Sequence, residues 1–157
     1  MTSVSTRVAS RGSSLTVRAG QRVQSCADRL AGLILSAAAL TVDVKTVQDW
    51  ATATHVSVGS LRGYCHTLGI QPKHALDFTR LLRVVLASRD GSWEPGRWLA
   101  VSDPRHLQAL LARGGLLQPE GAAPPTLETY LALQRLIPLQ SGVLWHVAAR
   151  LNGPNDK

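Results

Sequence analysis

Thr46-Val47-Gln48-Asp49-Trp50-Ala51-Thr52-Ala53-Thr54-His55-Val56-Ser57-Val58-Gly59-Ser60-Leu61-Arg62-Gly63-Tyr64-Cys65-His66-Thr67-Leu68-Gly69-Ile70-Gln71-Pro72 is the stretch on which the fold turns. Val47, Trp50 and Ala51 share one helical face, so a helix is expected over about Val44 to Thr54, with Asp43 placed to cap it. Ser57 is a good N-cap for a second helix through Leu68, and Gly69 stands where a helix end wants a left-handed residue. His55 occupies the turn between them; histidine visits the left-handed region, though less readily than glycine. Ala51 is small where the two helices cross, and Leu61, ten residues on, anchors the second. Helices joined this tightly pack at a steep angle, which makes the second one project.

Helical spacing continues on both sides. Val23, Ala27, Leu30, Ile34 and Ala38 step by three and four, giving a helix over Val23 to Leu40. Pro72 opens a helix running to about Ser88 that is apolar over most of its circumference, and so central and buried. Shorter helices follow over Glu94 to Ala100, Asp103 to Arg113, Thr126 to Ile137 and Gln140 to Leu151. Residues 1–21 are Ser-, Thr- and Arg-rich without period and read as a disordered basic arm, and 118–125 as a linker of turn formers. Nothing alternates with period two. The expected class is all-α, with a core domain over 22–117 and a C-terminal helical extension over 126–157.

The chain has 157 residues, 45% of them apolar but only 4% aromatic, so its core must be mostly Leu, Ala and Val. Its longest apolar run, Leu30 to Leu40, is about half of a membrane span, which excludes a spanning helix. The net charge is +7, and the first 22 residues carry Arg7, Arg11, Arg18 and Arg22 with no acid. Such a balance favours an anionic partner, most often nucleic acid. Cys26 and Cys65 lack metal spacing and read as lone thiols of a reducing cytoplasm. The five histidines show no metal-site spacing, and phosphate loops, nucleophile motifs and paired carboxylates are all missing. Neither an enzyme, a metal site, a cofactor nor a small-molecule ligand is expected.

The first stretch is echoed once. Trp50-Ala51, Val56-Ser57, Leu61, Gly69 and Gln71-Pro72 reappear as Trp98-Leu99-Ala100, Val101-Ser102, Leu107, Gly115 and Gln118-Pro119. Two such units joined by one long helix resemble the DNA-binding module of AraC/XylS-type helix-turn-helix regulators of bacteria. Thr46 to Ala51, Val56 to Arg62, Leu68 to Pro72 and Thr79 to Leu82 carry the resemblance, best over 44–86. Gly63 stands where the family has arginine and Cys65 where it has phenylalanine. The second turn is about three residues shorter than the first, and no sensor domain is expected beside the module.

The resemblance implies a recognition helix over about 57–68 in the major groove of double-stranded DNA, its outer face formed by Gly59, Arg62 and Gly63. Arg62 is the residue there with a fork that fits guanine O6 and N7; otherwise it is a solvated helix arginine. Ser57, Ser60 and His66 are candidates for phosphate or sugar contacts, with capping the competing role of Ser57. Lys73 matches the place where the linking helix meets a phosphate. Arg105 and His106 open the second recognition helix, beside the repelling Asp103. Arg80 is expected to pair with Asp77 or Asp49.

The expected function is therefore a sequence-specific, cytoplasmic, nucleoid-associated transcription regulator. A second copy of the chain or RNA polymerase is the expected protein contact. The alternative is a helical protein-interaction module that keeps a degenerate form of the same fold.

Overall fold

The computed structural model describes residues 11–119 and 121–153, with side chains from Ser14 onward. Among these residues are α1 (Arg11–Ala38), α2 (Val47–Ala53), α3 (Val58–Thr67), α4 (Pro72–Ala87), α5 (Pro95–Trp98), α6 (Pro104–Arg113), α7 (Leu127–Ala132) and α8 (Val143–Leu151), and no strand. The chain is all-α, as its periodicity implies.

α4 is the hub. Every residue from Ala75 to Val85 is buried, and α1, α2, α3, α5 and α7 pack around it. Most of its buried polar groups are matched, as low-dielectric surroundings require; Asp77 Oδ1 is the exception, with no hydrogen-bond partner among the described residues. Thr79 Oγ1 donates to the Ala75 carbonyl at 2.7 Å. Arg83 donates to the Leu40 carbonyl at 2.9 Å, the Thr41 carbonyl at 2.7 Å and the Trp98 carbonyl. One guanidinium thus ties the segment after α1 to the end of α5.

Arg80 forms a two-pronged ion pair with Asp43, Nε to Oδ1 at 2.9 Å and Nη2 to Oδ2 at 2.6 Å. Asp43 Oδ2 also accepts the Ala100 backbone N–H at 2.9 Å. Two expectations are corrected here. The partner of Arg80 is Asp43, not Asp77 or Asp49, and Asp43 is too occupied to cap α2. Thr46 does that instead, accepting the Asp49 N–H at 3.0 Å.

A third correction concerns the amino-terminal segment. Helix α1 starts at Arg11 rather than Val23, so residues 11–21 are helical rather than irregular; Arg7 lies outside the described residues, as does the side chain of Arg11. Apolar periodicity fails to mark these turns because they bury nothing: residues 14–25 are exposed throughout. The buried stripe starts at Cys26 and Ala27, within the helix that packs on α3, α4 and α8.

The carboxy-terminal helices complete the same core, α7 against α4 and α8 against α1. Tyr130 stacks on Phe78 with ring centroids 5.4 Å apart and donates its hydroxyl to the Phe78 carbonyl at 3.0 Å. Burial holds that hydroxyl well above the usual tyrosine range, so it stays a donor. Trp93 is fully buried and pins residues 121–122: its backbone N–H donates to the Ala122 carbonyl at 3.0 Å, and its carbonyl accepts the Gly121 N–H at 3.2 Å. α7 stops at Ala132, short of Ile137, where Gln134 Oε1 takes the N–H groups of Arg135 and Leu136. Pro138 further disfavours helix at the residue before it.

Candidate nucleic-acid interface

α2 and α3 are joined by residues 54–57. His55 takes φ 58°, the one positive φ outside glycine among the described residues. The turn closes with the Val56 N–H on the Ala51 carbonyl at 3.0 Å, and Ala51 is buried where the helices meet. Ser57 caps α3: its Oγ accepts the Ser60 N–H at 3.0 Å and donates to Ser60 Oγ at 2.8 Å. The helix ends at left-handed Gly69, with the Ile70 N–H on the Cys65 carbonyl at 2.9 Å. Leu61 and Cys65 are fully buried and hold the inner face.

The outer face of α3 carries Gly59, Arg62, Gly63 and His66, all exposed. Their spacing puts them on one side of the helix. Gly63, in the helix interior, costs about 1 kcal/mol relative to alanine. Neither glycine is there for φ or for packing: a Cβ on Gly63 would meet nothing within 4 Å, and one on Gly59 only Ser57 Oγ at 3.8 Å. The glycines lower this face to its backbone on both sides of Arg62, which favours close approach from outside. Arg62 makes no hydrogen bond or ion pair with the described residues.

The second unit differs in its turn. α5 is a single turn; after Leu99 (φ −105°, ψ 127°) the Val101 N–H closes on the Leu99 carbonyl at 2.9 Å, and the chain reaches Asp103 without a left-handed residue. Asp103 caps α6 by accepting the Arg105 N–H at 2.9 Å. Its carboxylate also lies 3.9 Å from His106 Nδ1. The end of α6 does repeat that of α3, with left-handed Gly115 and the Leu116 N–H on the Leu111 carbonyl at 2.8 Å. The sequence echo therefore holds at the helix ends and lapses in the shortened turn.

A cleft of about 410 Å³ brings together Lys45, Lys73, His106 and Arg113. Most of its charge is compensated. Buried Asp77 accepts Arg113 Nη2 at 2.9 Å and lies 3.5 Å from the exposed Lys73 ammonium. Of the expected contact residues, Lys73 and His106 share this cleft, whereas Arg62 is not among its lining residues. Arg105 is exposed, and Ser57 and Ser60 spend hydroxyl capacity on each other. Lys45 and Arg113 carried no motif; only the fold brings them here.

A second groove, about 380 Å³, runs between α1 and α3 and is lined by Arg22, Ser25, Arg29, Ser60, Gly63 and Tyr64 among others. Arg29 Nη1 donates to the Tyr64 hydroxyl at 3.4 Å, and that contact raises the guanidinium's pKa above its usual value, keeping it charged.

Both cysteines are free and buried, and burial pushes the Cys65 thiol from 9.0 up to about 11. The native state therefore keeps a proton there that the unfolded chain loses above about pH 9. This stabilisation is complete below pH 9 and is lost as pH rises towards 11, by roughly 2–3 kcal/mol in all. Urea unfolding at pH 8 and pH 11 should show a smaller alkaline loss for Cys65→Ala than for the wild type. No family model, curated protein or solved structure matches the chain.

Proposed function

We propose that the chain is a DNA-binding transcription regulator of the AraC-like kind, acting by binding and not by catalysis, with α2 and α3 as its helix-turn-helix. The observation that carries this reading is the outer face of α3. That face is exposed and carries an unengaged Arg62 between two glycines that the fold does not need. A duplex groove is a partner that rewards both features. Backbone can approach the base edges closely, and an unpaired guanidinium can read guanine. Lys73 and Arg105 would add phosphate contacts, with the second unit in a supporting role because its turn lacks the left-handed step.

Selection of duplexes from a random pool, followed by fluorescence anisotropy on the enriched site, tests the proposal. Arg62→Ala should weaken binding to that site by about 1–3 kcal/mol, roughly 5- to 150-fold, while random duplex binding changes little. No enrichment, or equal binding by both proteins, would count against it. The second reading, a protein-interaction module, draws on Leu139 and Trp145, which are 76% and 67% exposed beside α8 and within it.

A further inference from the structure

Arg18, Arg22 and Arg29 follow one another on α1 at steps of four and seven residues. At 100° per residue these steps return to nearly the same azimuth, so the three guanidinium groups form a stripe roughly 16 Å long. All three residues are exposed, and Arg18 and Arg22 make no ion pair with the described residues. The sole acid of α1, Asp28, is turned away: Arg150 Nη2 lies 2.6 Å and His146 Nδ1 3.5 Å from its Oδ1. The stripe also runs into the outer face of α3. Arg22 and Arg29 line one groove with Ser60 and Gly63, and that lining contains no carboxylate.

We infer that α1 is a phosphate-tracking arm, its arginine stripe lying along the backbone of the same DNA duplex whose groove receives α3. The inference rests on the proposed role of α3 and adds a second contact surface to it. A helix that buries nothing over residues 14–25 gains no core energy by being ordered, so its regular arginine spacing matters only to something outside the fold. Guanidinium groups in a row, without carboxylates among them, complement a line of phosphates. The contribution should be sensitive to salt and blind to sequence, because each neutralised phosphate releases counterions.

The test is anisotropy on a random-sequence duplex at 50 to 200 mM KCl, using the full chain, Arg18→Ala/Arg22→Ala, Arg18→Lys/Arg22→Lys and Arg62→Ala. Arg29 is left intact because it contacts Tyr64. The alanine pair should reduce the slope of log affinity against log salt by about 1.8, at about 0.9 per phosphate, and the lysine pair should restore it. Far-ultraviolet circular dichroism of the alanine pair should stay unchanged, since both side chains are exposed. An unchanged slope in a protein whose binding to the enriched site depends on Arg62 would overturn the arm alone. So would a lost slope that lysine fails to restore. Vesicles containing phosphatidylserine that bind the stripe, with duplex affinity untouched, would equally overturn it. Absence of duplex binding by the wild type would remove the role of α3 as well.

Discussion

Replacing Asp43 by alanine should destabilise the protein by about 3–5 kcal/mol, read as a lower midpoint in urea unfolding. The Asp43 and Arg80 side chains are only 3% and 9% exposed, so truncation would strand a guanidinium in surroundings that cannot solvate it. It would also orphan the Ala100 N–H that Asp43 accepts. A domain of this size has in all about 5–15 kcal/mol of stability, so the loss would threaten folding itself. The contrast with the Lys73–Asp77 pair is instructive. Lys73 is 67% exposed, and water screens that attraction, so Lys73→Ala should cost less than about 1 kcal/mol. A loss below 1 kcal/mol for Asp43→Ala would mean that Arg80 finds other partners and that this hub does not hold the two halves together.

That hub was the part of the fold least legible in the sequence. Ser57, Gly69 and Gly115 announce helix ends because their signals are local: a side-chain oxygen for nearby N–H groups, or a backbone free to turn left. Asp43 sits before a helical pattern and so resembles a cap. Its true partners are 37 and 57 residues away, and no short-range rule points to them. The amino-terminal half of α1 is hidden in the sequence for another reason. Helices are found by their buried stripe, and this one has none until Cys26. The usable signal was the spacing of Arg18, Arg22 and Arg29, a helical period written in charge. At the candidate interface Arg62 and His66 could be placed on the outer face from sequence alone. The grooves could not, since Lys45 with Arg113, and Arg22 with Gly63, meet only through tertiary packing.

Gly63→Glu offers the sharpest separation of fold from function. The position is exposed, and an added Cβ meets nothing within 4 Å, so a side chain can start there without a clash. Glutamate is also the better helix former, which should raise stability by a few tenths of a kcal/mol to about 1 kcal/mol. If the outer face of α3 enters a duplex groove, the same change places a carboxylate among phosphates and base edges. Like-charge juxtaposition at an interface costs several kcal/mol, so affinity should fall at least ~100-fold. Equilibrium anisotropy of wild type and Gly63→Glu on one duplex at a single salt concentration is therefore the measurement that reaches the central claim most directly. The expected result is a protein at least as stable as the wild type whose DNA binding is nearly abolished. Duplex binding that is equally tight in both proteins would contradict it, because α3 would then not be the element that meets DNA.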